Sequence, residues 1–207
     1  MTVHSPSIEP RKQPRQARSV VTVDAILEAA ALILQERGLP TLNTNDVARR
    51  AGVSIGSLYQ YFPTKEAILA EIIRRKRLSL LKGLSEAREA SQGAPFPTTV
   101  RNLVEVTIRH QTNKQNFARA LDYAYAMLPI QQETDALNRK IIAVICDALE
   151  GLDLKDSQEA AIDVVAIVRG MVEAAGLRGE TDRSALAERI CRAVHGYILA
   201  EPVEESD

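Results

Sequence analysis

Apolar residues recur at spacings of three and four along most of this chain, and this pattern limits its possible folds more than any other feature. The first clear example begins near Thr22, where one helical face would carry Ile26, Leu27, Ala30, Ile33 and Leu34. The pattern is interrupted at Gly38, Pro63 and Gly151, as expected where helices end. Few segments alternate with the period of two that is typical of strands. The sequence therefore predicts an all-α fold with about nine helices.

The charge is distributed unevenly, although the whole chain has a formal net charge of −1. Residues 1–77 contain 12 basic and 7 acidic residues, a net charge of +5, and the remaining residues carry a net charge of −6. A basic N-terminal third on an acidic body is the pattern expected when one end of a protein meets a polyanion. The two cysteines, Cys146 and Cys191, have neither metal-ligand spacing nor a disulfide pattern. We predict no metal and no cofactor.

The sequence also predicts a location. It contains no apolar run of about 20 residues, the length that a membrane-spanning helix requires. The N-terminal residues have no apolar central region of the kind found in secretory signals. We therefore expect a cytoplasmic protein without a membrane partner.

Breaks in the pattern suggest three parts. Residues 1–19 contain three prolines and the basic residues Arg11, Lys12, Arg15 and Arg18, and they are predicted to form a flexible arm. Residues 20–66 are predicted to form a small helical domain. A long helix from residue 65 to about 90 would link this domain to a helical body spanning 67–207.

Two short helices joined by the residues AGVS, 51–54, have the dimensions of a helix-turn-helix. Thr44 is the expected N-cap of the first helix, Ser54 of the second, and Thr64 of the long helix that follows. At about 100° per residue, Leu58 and Phe62 share an inward face, and Gly56 and Gln60 lie nearly opposite. In such motifs the second helix enters the major groove of DNA.

The chemistry of the outer face fits DNA. Hydroxyl and amide side chains bind phosphates and base edges, Ile55 can contact a thymine methyl group, and Lys65 adds a positive charge. A glycine within a helix costs about 1 kcal/mol relative to alanine. Gly56 on the outer face therefore suggests that a large partner approaches the backbone. A small helical unit with a merely polar surface is the simpler alternative.

These residues carry a family resemblance. Segment 43–69 reads NTNDVARRAGVSIGSLYQYFPTKEAIL and is preceded by ILEAAALILQERG. The region from about 20 to 77, roughly the first third of the chain, resembles the tetracycline-repressor (TetR) family of transcriptional regulators. The resemblance places ten residues at DNA-contacting positions: Thr44, Asn45, Ser54, Ile55, Gly56, Ser57, Tyr59, Gln60, Tyr61 and Lys65. Among these, Ile55 and Gln60 occupy variable positions that would tune sequence choice.

The resemblance further implies a homodimer that represses transcription at a pseudo-palindromic double-stranded DNA operator. A small-molecule effector bound in the C-terminal domain would release it. Helix 116–127 offers apolar side chains on one face with polar groups nearby, as pockets require. The candidate pocket residues are His110, Phe117, Leu121, Asp122, Tyr125 and Leu128. The same aromatic stripe could instead be ordinary core.

Two C-terminal helices, 157–177 and 183–199, could form a four-helix bundle with the same helices of a second subunit. The candidate interface residues are Ile162, Val165, Ala166, Arg169, Gly170, Glu173, Ile190, Val194 and Ile198. Packing of these stripes within one subunit is the alternative.

Other functions remain open at this stage. An activator, or a DNA-binding regulator without an effector, would have the same sequence features. Cys191 and His195, four residues apart on one helix, could form a thiol–imidazole pair. Because no orienting group accompanies them, we predict no catalytic residues and no enzyme activity.

Overall fold

The computed structural model of the protein describes residues 8–10, 17–110 and 115–199. These residues form nine α-helices and a short 3₁₀ turn at Leu39–Thr41, with no strand among them. The helices are α1 Ala17–Arg37, α2 Thr44–Arg50, α3 Ile55–Tyr61, α4 Lys65–Ala90, α5 Phe96–His110, α6 Gln115–Met127, α7 Gln131–Ala148, α8 Ser157–Leu177 and α9 Arg183–Leu199. The all-α prediction is confirmed. None of the described helices is long and apolar enough to cross a membrane.

Helix α1 begins earlier than its apolar pattern suggested. It starts at Ala17 rather than near Thr22, so the last residues of the predicted arm are helical. Val20 and Val21 are exposed in this first turn, and the buried stripe begins only at Val23. Periodicity could not detect this turn, because its apolar side chains are exposed and add nothing to the buried stripe. Arg11, Lys12 and Arg15 lie outside the described residues.

The described residues fall into two compact units. The first unit contains α1–α3, α4 as far as Arg77, α6, and the start of α7 as far as Asp135. The second contains α4 from Leu78 onward, α5, α7 from Ala136 onward, α8 and α9. The functional domains expected from the sequence, 20–66 and 67–207, stay predictions.

The core of the first unit is built from helices that are distant in sequence. Ile26 of α1 and Leu58 of α3 are fully buried, and Phe117 of α6 lies in the same apolar cluster. Burying one such side chain contributes about 1.5–3 kcal/mol. Lys76 of α4 lies over the Phe117 ring, with its Nζ 5.5 Å from the ring centroid. Helix α6 is therefore part of the unit that carries the two short helices.

In the second unit, α9 packs against both α5 and α8. The buried face of α9 includes Leu186, Ile190 and Val194. Near the start of α9, Glu180 accepts hydrogen bonds from Arg189 at 2.8 and 2.9 Å, which ties the α8–α9 loop to α9. The hydrogen bond from Arg189 holds the pKa of Glu180 below its ordinary value.

Candidate DNA-binding surface

Helix α2 is capped by a different residue from the one expected. Asn43, not Thr44, is the N-cap, and its Oδ1 accepts a hydrogen bond from the Asp46 backbone N–H at 2.9 Å. Asn43 Nδ2 also donates to Asp46 Oδ2 at 2.9 Å. The sequence held a signal for this, because an Asn followed three residues later by an acid resembles a reciprocal capping box. The shift places Thr44 in the first turn of α2.

The turn between α2 and α3 explains their relative placement. Gly52 has a φ of +67°, a conformation that side-chain-bearing residues rarely adopt. The Val53 N–H donates to the Ala48 carbonyl at 3.0 Å and closes the turn. Ser54 then caps α3, as predicted, because its Oγ accepts from the Ser57 N–H at 3.0 Å. The predicted cap of α4 is also present, with Thr64 Oγ1 accepting from the Ala67 N–H at 3.1 Å.

Helix α3 has a clear inner and outer face. Leu58 and the following Phe62 are essentially inaccessible to solvent, which confirms that they anchor this short helix. Its exposed residues are Ser54 at the cap, Ile55, Gly56, Tyr59 and Gln60. Because only one side of the helix is held by the core, the other side presents hydroxyl, amide and small apolar groups to solvent.

The remaining predicted contact residues lie around this face. Asn45 is exposed in the first turn of α2. Lys65, the first residue of α4, is half-buried. Tyr61 is also half-buried, and it packs against the apolar cluster of the first unit. Ser57 is half-buried, with its Oγ 2.7 Å from Ser54 Oγ. The DNA roles of all ten residues stay predictions.

Among the described residues, no close neighbour requires a glycine at position 56. Gly56 is helical rather than in a left-handed conformation. A Cβ atom built there would meet only Ser54 Oγ, at 3.9 Å. The folded chain therefore has room for a larger residue at this position.

A hydrogen bond joins the two short helices on their exposed side. Thr44 Oγ1 of α2 lies 3.0 Å from the phenolic oxygen of Tyr59 on α3. The two residues are 15 positions apart. Sequence reasoning assigned both to DNA contact but could not detect the bond between them.

The family model described as "Bacterial regulatory proteins, tetR family" matches residues 26–72, the segment that contains α2, α3 and the residues just described. The helix-turn-helix segment of the chain therefore matches the N-terminal domain of the TetR family.

Individual regulators are similar to this chain over different lengths. The HTH-type transcriptional repressor KstR2 of Rhodococcus jostii is 43% identical over 49 residues, a match that spans 24% of either chain. An uncharacterised HTH-type transcriptional regulator of Mycobacterium tuberculosis is 25% identical over 178 residues, covering 83% of this chain and 84% of its own. A solved transcriptional regulator from Rhodococcus sp. Rha1 has a TM-score of 0.72 and 22% identity, covering 86% of this chain and 95% of that one. The chain therefore shares the fold of that solved regulator over most of its length.

The candidate effector residues are distributed over two structural units. Phe117 and Leu128 are buried in the core of the first unit, with Leu121 half-buried against it. In the second unit, His110 Nε2 is hydrogen-bonded to Ser79 Oγ at 3.1 Å. The other ring nitrogen, Nδ1, donates to the Val106 carbonyl at 2.9 Å. The side chains of Asp122 and Tyr125 lie outside those described. An effector pocket stays a prediction.

The candidate dimer residues divide between the surface and the core. Five lie on an exposed face of α8: Ile162, Ala166, Arg169, Gly170 and Glu173. Val165 is half-buried beside them. The prediction is corrected for Ile190, Val194 and Ile198, which are buried within the chain where α9 packs against α5 and α8. An apolar stripe predicts that a helix face is covered but not which surface covers it.

The proposed thiol–imidazole pair lies in the second unit. Cys191 is buried, and this burial raises the pKa of its thiol. A raised thiol pKa favours the neutral form, whereas a nucleophile requires the thiolate. The His195 ring lies against Phe96, with a centroid distance of 5.6 Å. These surroundings are those of core residues.

Proposed function

We propose that this protein is a TetR-family regulator of transcription that binds a pseudo-palindromic DNA operator as a homodimer. The observation that carries the proposal is the outer face of α3, where Ile55, Gly56 and Gln60 are exposed while Leu58 is fully buried. A helix presented in this way after a tight turn is suited to the major groove. The net positive charge of residues 1–77 favours the approach of DNA.

The face of α8 supports the dimer. Ile162 is 45% exposed, and Ala166 and Gly170 continue the same face one and two turns further on. In the described part of the chain, no atom outside the α8 backbone and the neighbours of Gly170 lies within 4 Å of a Cβ placed there, so a second helix could approach. A two-fold dimer would present two recognition helices to two half-sites, so the proposed operator is pseudo-palindromic.

We further propose that the regulator is a repressor released by a small-molecule effector. The matched repressor KstR2 supports repression, although its match is confined to the N-terminal segment. Helix α6 belongs to the same compact unit as α1–α3, so an effector that contacts α6 would act directly on the DNA-binding unit. An effector releases DNA only if it binds the DNA-free conformation more tightly.

The decisive experiment is selection of bound duplexes from a randomised DNA library, followed by capture of bound fragments from the genome. We expect a two-fold symmetric sequence, and genes beside the captured sites would indicate the class of effector. Binding without sequence preference, or to a site without symmetry, would contradict the proposal. The variant Gln60→Ala is compared in the same selection. It should select an altered sequence, because an amide on this face can read base edges.

A further inference from the structure

The hydrogen bond between Thr44 and Tyr59 joins two groups that sequence reasoning treated as separate DNA contacts. Thr44 lies in the first turn of α2, and Tyr59 lies in the middle of α3. Their hydroxyl oxygens are 3.0 Å apart, a good distance for a hydrogen bond between hydroxyls. Either oxygen can be the donor in the protein without DNA.

A phosphate beside this pair would determine which of the two hydroxyls donates the hydrogen bond to the other. Each hydroxyl has one proton, and a phenolic hydroxyl is the more acidic and therefore the stronger donor. An anion would accept a hydrogen bond from the Tyr59 hydroxyl, and the Tyr59 oxygen would then accept a hydrogen bond from the Thr44 hydroxyl. A hydroxyl that accepts a hydrogen bond becomes a stronger donor, because linked hydrogen bonds polarise one another.

The surroundings of Tyr59 show why it needs such a partner. Its side chain is 40% exposed, while its neighbour Leu58 provides the buried anchor of α3. An exposed aromatic side chain held only by its backbone loses rotamer freedom when it binds, and this loss weakens binding. Thr44 is β-branched and therefore stiff, and it lies in a helix whose start is fixed by the Asn43 cap.

We propose that Thr44 is a positioning residue that holds the Tyr59 phenol in place for a single DNA phosphate. The two hydroxyls then act as one phosphate contact, and Thr44 contributes through Tyr59 rather than by a contact of its own. This inference rests on the proposed DNA-binding function and specifies how one part of that surface works.

A double-mutant cycle tests the proposal. Dissociation constants are measured for the duplex that the wild-type protein selects from a randomised library, using Thr44→Val, Tyr59→Phe and the double variant. We expect each single substitution to weaken binding by about tenfold, the scale of one hydrogen bond to a charged group. The double variant should bind no more weakly than Tyr59→Phe alone. Thr44→Ser, which keeps the hydroxyl, should restore most of the affinity.

The control is Thr41→Val, which removes another hydroxyl of the same unit, one that donates to the Gly38 carbonyl at 3.1 Å. It should leave DNA affinity unchanged, and thermal unfolding should show that every variant is folded. If the affinity losses of the two single variants multiply in the double variant, the proposal is overturned, because the two hydroxyls then make independent contacts. Wild-type affinity in Thr44→Val would also overturn it. If the wild-type protein selects no duplex, the proposed function itself fails.

Discussion

Arg50 at the end of α2 donates two hydrogen bonds to Glu36 of α1, at 2.6 and 2.7 Å. These bonds raise the pKa of Arg50, so its guanidinium stays charged and held by the carboxylate. The neighbouring Arg49 is paired with Asp46 within its own helix at 2.5 Å. Both arginines of α2 therefore have partners within the first unit, and the fold explains them without DNA.

The Arg50 pairing predicts how DNA binding depends on salt. Arg50→Gln should leave the slope of log affinity against log salt unchanged, because a guanidinium held by Glu36 displaces few DNA counterions. Lys65→Gln should reduce the slope by about 1 and weaken binding to all sequences. Binding titrations over a range of salt concentrations measure both. An equal loss of slope in the two variants would mean that Arg50 leaves Glu36 for a phosphate.

Gly56 predicts opposite effects on stability and on DNA binding. Gly56→Ala should raise the free energy of unfolding by up to about 1 kcal/mol, because alanine favours helix and meets no close neighbour there. The same variant should bind DNA more weakly, and Gly56→Leu should abolish binding while the fold remains intact. Urea unfolding and DNA titration measure the two effects.

Gly52 provides the contrast, because its φ of +67° is required by the turn itself. Gly52→Ala should lower the free energy of unfolding by about 1–2 kcal/mol. If Gly56→Leu retained full DNA affinity, the inference that DNA approaches the backbone at residue 56 would be wrong.

The pair formed by Arg74 and Glu133 predicts that the start of α7 stabilises the first unit. Arg74 Nε lies 2.5 Å from Glu133 Oε2, and the Arg74 side chain is only 17% exposed. Glu133→Gln should lower the free energy of unfolding by about 1 kcal/mol, because a largely buried guanidinium loses the nearer of its carboxylate partners and keeps Glu71 at 3.5 Å. Glu86→Gln, which alters an exposed pair with Lys82 at 3.7 Å, should change it by less than about 0.5 kcal/mol. Equal effects in the two variants would contradict this role of Glu133.

The exposed face of α8 predicts the effect of a charge on oligomeric state. Ile162→Arg should convert the proposed dimer into a monomer, because an unpaired charge at the proposed α8 interface is costly to desolvate. Val21→Arg, at an exposed apolar residue of α1, should leave the dimer unchanged. Sedimentation at several protein concentrations distinguishes the two states. A dimeric Ile162→Arg variant would show that the subunits associate through another surface.

Tyr197 predicts a pH effect in the second unit. Its hydroxyl donates to Asp163, and this bond raises the pKa of the phenol to about 12. Because the folded pKa lies above the ordinary value of about 10, the stabilisation is complete below that value. It is lost as the pH rises towards the folded pKa.

The difference between the ultraviolet titration curves of the wild type and of Tyr197→Phe should therefore show one phenol that ionises at high pH. In Asp163→Asn, the midpoint of that ionisation should be lower. A midpoint that Asp163→Asn does not change would contradict the cause assigned here.

The sequence by itself determined the helices and the two-sided character of α3. The bounds of α8 and α9 match the prediction because local signals set them. One such signal is Asp156, which caps α8 by accepting hydrogen bonds from the backbone N–H groups of residues 158 and 159. The burial of Leu58 and Phe62 followed from helical periodicity alone.

Only the tertiary structure decided which surfaces meet. It placed α6 in the core of the first unit, buried Ile190 and Val194 within the chain, and joined Thr44 to Tyr59. The physical reason is that capping and periodicity act between near neighbours in sequence. The partner of an apolar face, or of a hydroxyl group, is chosen by packing between distant segments, which a local pattern does not encode.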